Sequence, residues 1–280
     1  MLKQRIITAL ALFVILLGVL SYPSPWAFPL FMTVLVSAAG WEWGRLSGLT
    51  GAAAWSCAVA MALACAGLML GGGNFAHHTL WAWVATAWSA IWLLYAYWLL
   101  RAGIPAWQRI PRAVRLVLGF VSLGMAWIAI VWLHGQNGIS YLLSVIALVW
   151  MADIAAYFAG RAFGKRKLAP QISPGKSWAG AVGGTLGVVL MAVLGAAFLP
   201  YDNFYTQTVR HAGWPALVGL TVGIAAVSIM GDLVESLMKR STGLKDSSNL
   251  LPGHGGVLDR IDSLLPVLPL ALAATLWMQG

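Results

Sequence analysis

Apolar residues run through the chain in long blocks with short polar breaks, a spacing that predicts serial helices rather than strands. A helix needs about 20 mostly apolar residues to cross the roughly 30 Å hydrocarbon layer of a bilayer. Nine blocks reach or approach that length, at roughly residues 6–22, 26–41, 52–71, 79–100, 115–133, 140–160, 178–199, 213–231 and 263–279. The expected fold is all-α, a polytopic transmembrane helical bundle of about nine spans. The second and last blocks are short, so tilting or partial insertion is expected of either. The first block follows a basic start and precedes no small-residue cleavage site, so it reads as a retained first helix rather than a leader.

Composition agrees. Of the 280 residues 60% are hydrophobic and 9% charged, against about 25% charged in soluble domains. Too few charges are present to cover a water-facing surface of that size. Cys57 and Cys65 share one apolar run, with neither zinc-ligand neighbours nor a disulfide framework, and read as buried or lipid-facing thiols. Among the 16 tryptophans, Trp26, Trp81, Trp132 and Trp214 fall near span ends, where an interfacial aromatic belt is expected. His77, His78, His134 and His211 read as outer or interfacial surface residues.

A net charge of +9 raises the question of nucleic acid, but the distribution answers it. If nine spans alternate, every Lys and Arg except Arg210 falls on one side. The positive-inside rule makes that side cytoplasmic, with the N-terminus inside and the C-terminus outside. The basic face suits anionic lipid head groups and needs no nucleic-acid partner.

The acids are clustered. Five of the eight Asp and Glu, namely Asp232, Glu235, Asp246, Asp259 and Asp262, lie between Gly231 and Ser263. Ionisable groups at membrane depth are costly and mark function by default. On a helix continuing from the eighth block, Asp232, Glu235, Ser236 and Lys239 share one face. A loop follows, with a tight turn of Pro252, Gly253, His254, Gly255 and Gly256. Asp259 and Asp262 would open the last helix, where carboxylates are favoured. Carboxylates from two helix ends suit Mg²⁺, a hard cation that prefers oxygen ligands. Lys239, Arg240, Lys245 and Arg260 suit phosphate oxygens. Gly255 and Gly256 would let backbone N–H groups approach a phosphate.

A second constellation spans residues 152–184. Asp153 lies inside an apolar block, with Tyr157 and Arg161 one and two turns on. Ser173-Pro174-Gly175-Lys176-Ser177 imitates the tail of a P-loop, but Pro170 stands where that motif needs glycine. It reads as a phosphate- or carboxylate-binding loop of another kind.

The stretch from Ser236 to Asp262, S-L-M-K-R-S-T-G-L-K-D-S-S-N-L-L-P-G-H-G-G-V-L-D-R-I-D, resembles the C-terminal signature of the phosphatidate cytidylyltransferases, the CDP-diacylglycerol synthases. The stretches Asp153–Lys167 and Ser173–Gly180 are also similar to that family, which often has Thr and an acid or amide where this chain has Ser177 and Ala179. The resemblance covers roughly residues 150–263; residues 1–140, taken as N-terminal transmembrane helices, match only as serial apolar spans. Residues 141–280 would form the C-terminal transmembrane helices with the catalytic motifs. The resemblance implies transfer of a cytidylyl group from CTP to phosphatidic acid with Mg²⁺, giving CDP-diacylglycerol and pyrophosphate for phospholipid biosynthesis.

The matched motifs then imply the roles. Asp232 and Asp259, followed by Asp246 and Asp262, would hold metal. Lys239, Arg240, Lys245 and Arg260 would bind phosphate, and His254, Gly255 and Gly256 would shape the pocket. Ser173, Lys176 and Ser177 would help bind nucleotide, and Asp153 would orient substrate or complete the metal site. CTP is cytosolic, so the site would face the cytoplasm of a bacterial inner membrane. The oligomeric state stays open, a homodimer being one arrangement. A transporter or ion channel is the alternative class, although its ionisable groups belong near mid-membrane. A CDP-alcohol phosphotransferase would need a paired-aspartate motif beginning D-G-x-x-A-R, which this sequence lacks.

Overall fold

The computed structural model describes residues 10, 14–71 and 78–280. After a helical stretch at 14–21 come α1 (Ala27–Leu46), α2 (Gly51–Leu70), α3 (His78–Ala102), α4 (Pro105–Arg109) and α5 (Arg112–Phe163). A hairpin of β1 (Lys167–Ala169) and β2 (Ser173–Ser177) leads into α6 (Trp178–Phe198). The chain ends with α7 (Phe204–Ser241), α8 (Leu258–Ile261) and α9 (Leu264–Gln279). Among the described residues, 6 helical runs are long and apolar enough to cross a membrane: α2, α3, α5, α6, α7 and the α8–α9 run Leu258–Gln279. The protein is therefore a multi-pass membrane protein, and α1 is not among those six. The first expected span falls partly outside the described residues.

Two of the expected spans, 115–133 and 140–160, lie in the one 52-residue helix α5. At 1.5 Å per residue that run would be about 78 Å long if straight, far more than a bilayer holds. It is broken at Gly138, whose φ of 80° and ψ of 175° are non-helical. Positive φ costs glycine little, so the break falls there. Gly213 (φ 81°, ψ 173°) breaks α7 in the same way, two residues before Pro215.

Helix α9 is the axis of the bundle, with Leu265, Leu268, Ala271, Leu272 and Leu276 all buried against α3, α5 and α7. A helix apolar on all sides belongs inside protein or lipid. Its Thr275 hydroxyl lies 2.9 Å from the Tyr141 hydroxyl. Small residues let α5 and α6 approach closely: a Cβ on Gly184 would stand 2.8 Å from the Ala152 carbonyl oxygen, and one on Gly187 2.6 Å from Ala155 Cβ.

The bundle has two distinct ends. At one, Gln279 donates to Asn137 (2.7 Å) and Gln207 (3.3 Å), and Arg210 pairs with Asp202 on the surface. At the other, Gln108 donates to the Ser241 carbonyl at 3.0 Å, and the Trp107 indole to that of Leu46 at 2.9 Å.

Among the tryptophans expected at span ends, the structure corrects the expectation for Trp132. Trp26 and Trp214 are half exposed, but Trp132 is buried, as are Trp43, Trp107 and Trp127. The Trp43 indole donates to the Arg115 carbonyl at 2.8 Å, and that of Trp127 to the Thr33 hydroxyl at 3.0 Å. Trp43, Trp107 and Trp127 are thus buried indoles with polar partners, whereas Trp132 Nε1 is buried without one. His78 and His211 are exposed, as expected, although His78 also meets Trp132 edge-on at 5.8 Å; His134 is half-buried and stacks on Phe28 at 4.2 Å. His77 lies outside the described residues. Cys57 and Cys65 are free, the latter buried.

Candidate active site

The residues Ser173–Ser177, expected as a loop, form strand β2, paired antiparallel with β1 through Lys167–Ser177 and Ala169–Ser173. The hairpin fixes the entry to α6. Ser177 is the N-cap of that helix, and its hydroxyl accepts from the Gly180 N–H at 3.1 Å, a cap typical of serine. Its hydroxyl therefore does local work, while Lys176 beside it reaches Asp232 of α7 at 2.6 Å.

The last turns of α7 carry the expected face. Ser236 donates to Asp232 at 3.2 Å, and Lys239 pairs with Glu235 at 2.5 Å. The same ammonium lies 2.6 Å from Asp259 Oδ1. Lys239, Glu235 and Asp259 are nearly buried, with side-chain exposures of 12%, 5% and 6%. Asp259 Oδ2 accepts from the Ser247 N–H (2.9 Å), the Ser247 hydroxyl (2.9 Å) and the Gly256 N–H (2.7 Å). Both oxygens of this carboxylate are thus engaged within the protein. The Gly256 N–H, expected to face a phosphate, faces Asp259 instead. Gly255 is held at φ 86°, and a Cβ there would stand 2.7 Å from Asp259 Oδ2, so both its backbone and the carboxylate contact call for glycine.

Helices α7 and α9 touch where the acids are. The Ser263 hydroxyl donates to the Ser228 carbonyl at 3.1 Å, which brings Asp232 and Asp262 to the same place. Asp262 accepts from the N–H of Ser263 at 2.8 Å and lies within electrostatic reach of Asp232, Lys176 and Lys239. Asp153 lies within reach of Asp232 and Lys176 and lines a cavity of about 330 Å³ between α5, α6 and the hairpin, with Tyr157, Arg161, Lys176 and Ser177. Arg161 is 3.4 Å from the Tyr157 hydroxyl.

Other expected residues sit at the rim. Arg240 reaches the Leu244 carbonyl at 3.4 Å, and Arg260 holds the His254 carbonyl through Nε (3.2 Å) and Nη2 (2.6 Å). Both are exposed, as are Lys245 and Asp246 on the loop. Ser173 is half-buried in β2. His254 Nδ1 is buried without a hydrogen-bond partner.

One site residue escaped the sequence reading. Glu42 of α1 is fully buried and binds the loop between α7 and α8 with both oxygens. It is the sole acid before Asp153. A lone carboxylate in an apolar helix was a sufficient reason to single it out.

In charge terms the cluster is unbalanced. Asp153, Asp232, Glu235, Asp259 and Asp262 face Lys176 and Lys239, with Arg161 the further cation lining the cavity beside Asp153. Uncompensated charge away from water is costly. Glu235 Oε1 is buried without a hydrogen-bond partner. Among the described residues no three His, Cys, Asp or Glu converge as a ready ligand set.

A sequence model described as the cytidylyltransferase family matches residues 3–277. The chain is 41% identical to the phosphatidate cytidylyltransferase of Pseudomonas aeruginosa over 291 aligned residues, covering 100% of this chain and 98% of that protein. It is 38% identical to the phosphatidate cytidylyltransferase of Brucella suis over 282 residues, covering 100% of this chain and 93% of that one. Identity to the Haemophilus influenzae protein of the same name is 50% over 133 residues, covering 48% of this chain and 44% of that one.

Proposed function

The chain belongs to the cytidylyltransferase family, and from that premise we propose that its carboxylate–lysine cluster is where CTP and phosphatidate react. The enzyme transfers a cytidylyl group from CTP to phosphatidate, releasing pyrophosphate and forming CDP-diacylglycerol. An oxygen of the lipid phosphate forms a bond to the α-phosphorus of CTP. The bond from that phosphorus to the bridging oxygen breaks, and pyrophosphate leaves with the electron pair. The lipid phosphate is already an anionic nucleophile, so no general base or covalent intermediate is needed.

The difficulty is electrostatic. Two polyanions must meet, and more charge gathers on the leaving group. Preorganised cations lower that barrier. Lys239, fixed between Glu235 and Asp259, cannot swing away; Lys176, on a paired strand, is nearly as constrained. Arg240, Lys245 and Arg260 at the rim would collect the triphosphate or the lipid head group. Asp153, inside the cavity with Tyr157 and Arg161, would orient substrate or complete the metal site.

Asp232 and Asp262 would hold Mg²⁺, since Asp259 has both oxygens engaged and Asp246 is out on the loop. The ion would neutralise phosphate charge and assist departure of pyrophosphate as a Lewis acid. The observation that carries this reading is the surplus of carboxylates over lysines where Asp232 and Asp262 lie within electrostatic reach of each other.

The cluster lies at the end of the bundle opposite Arg210. The positive-inside asymmetry supports a cytoplasmic site, an internal N-terminus and a nine-span chain in which α5 crosses twice about Gly138. A bacterial inner membrane fits that arrangement. A site at one end also argues against a transporter, whose ionisable groups belong at mid-membrane.

The test is an assay in mixed micelles with phosphatidate and α-labelled CTP, with Mg²⁺ or with EDTA. Label should enter the lipid with release of one pyrophosphate per lipid, and EDTA should stop it. Label transfer undiminished by EDTA would remove the metal from this account.

A further inference from the structure

Glu42 and the loop it holds are separated by more than 200 positions of sequence, and no part of the transfer chemistry described above requires Glu42. Its contacts are nonetheless complete. Oε1 accepts from the Ser248 hydroxyl at 2.5 Å and the Val257 N–H at 2.9 Å. Oε2 accepts from the Leu258 N–H at 2.6 Å and lies 3.2 Å from the Ser247 hydroxyl, whose single proton it shares with Asp259 Oδ2. The carboxylate thus ties together the two limbs of the loop, 247–248 and 257–258, on either side of the His254 turn. Three neutral donors and the shared Ser247 hydroxyl replace the cation that a buried carboxylate ordinarily pairs with. Arg45, one turn later on α1, reaches past it to the Ser247 carbonyl at 3.4 Å.

The Ser247 hydroxyl also lies 2.9 Å from Asp259 Oδ2. A continuous chain therefore runs from Glu42 through Ser247 to Asp259, Lys239 and Glu235. Gly256 makes room for it, because a Cβ there would collide with the Ser247 hydroxyl and with Glu42.

We propose that Glu42 is a positioning residue for cytidylyl transfer: it holds residues 247–258 so that Asp259 fixes Lys239 in the site. The inference rests on the reading of the Lys239–Asp259 cluster as the place of reaction. It extends the site into the N-terminal half of the chain, where no motif pointed.

The chemistry of the clamp selects its own probe. In Glu42→Gln one oxygen becomes an NH₂ group facing two donors. A serine hydroxyl can turn and accept, but a backbone N–H cannot. The amide therefore opposes the N–H of either Val257 or Leu258 whichever way it is flipped. Packing of α1 on α2 is untouched. A misplacement of about 1 Å at a reacting group costs on the order of 100-fold in rate.

The experiment measures kcat, KM for CTP, thermal midpoint and tryptic cleavage after the exposed Lys245 in wild type, Glu42→Gln, Ser248→Ala and the double variant. Glu42→Gln should lower kcat about 100-fold, speed cleavage after Lys245, and leave the midpoint of the bundle near wild type. Ser248→Ala removes one of these donors and should cost less than about 10-fold. The double variant should be no worse than Glu42→Gln, since Ser248 acts through Glu42. If Glu42→Gln fails to fold, Ser248→Ala still carries the test: faster cleavage after Lys245 with reduced kcat is required. Wild-type kcat in folded Glu42→Gln, or a loss that only follows the unfolded fraction with cleavage unchanged, overturns the proposal. Wild-type turnover in the same assay tests the underlying reading separately, and the cleavage measurement needs no CTP.

Discussion

Gly231 of α7 lies against Asp262 so closely that a Cβ on it would stand 2.6 Å from the Asp262 carbonyl oxygen. The contact lets two helices meet at backbone distance and sets the neighbouring Asp232 beside Asp262. Gly231→Ala must push the helices apart or distort them, at about 1 to 3 kcal/mol. The loss of activity should exceed the loss of stability, because separation of the two carboxylates disrupts the site first. A lowered thermal midpoint with turnover reduced at least about 10-fold in the folded fraction is the expected outcome.

Lys239 lies between two nearly buried carboxylates and is the one cation paired with them among the described residues. Lys239→Met keeps the length of the side chain but leaves both acids uncompensated. Removing one member of a buried ion pair costs about 3 to 5 kcal/mol. This variant should show a sharply lowered midpoint in detergent and no measurable turnover. A second change, Glu235→Gln, should recover part of the stability and none of the activity.

Lys176 and Asp232 are more open, with side-chain exposures of 24% and 29%. A partly solvated pair adds at most about 1 kcal/mol, so Lys176→Met should hardly move the midpoint. Turnover should fall by about 100-fold or more, as for loss of a preorganised charge. Measuring both on one preparation separates the structural from the chemical role of this pair.

Arg210 and Asp202 form an ion pair at the far end, with exposures of 60% and 58%. Arg210→Ala should leave turnover within about twofold, since an exposed pair contributes little and the site is distant. A large loss would place function at both ends of the bundle.

The helices were legible because long apolar blocks have few other uses. The break at Gly138 was visible as a gap between two blocks, although the chain makes it with one non-helical glycine rather than a loop. The hairpin was not legible: Ser173-Pro174-Gly175-Lys176-Ser177 has none of the alternation of a strand, and proline and glycine argue against one. Its pairing with Lys167–Ala169 is local and short. The face of Asp232, Glu235, Ser236 and Lys239 followed from helical spacing, and two of its contacts are i,i+4 pairs. The contacts of Asp259 did not follow, because the folding of the loop decides them. Glu42 was visible as a lone acid, but its partners lie at the other end of the sequence and no local pattern names them.

The most direct measurement is label transfer from CTP to phosphatidate by wild type and Asp232→Asn, with Mg²⁺ titrated and folding monitored in each. The substitution is isosteric, at a residue open enough for the fold to tolerate it. The account predicts Mg²⁺-dependent labelling by wild type and, in a folded variant, a rate lower by about 1000-fold that added Mg²⁺ does not restore. A folded Asp232→Asn protein that labels lipid at the wild-type rate would contradict the assignment of the reaction to this cluster.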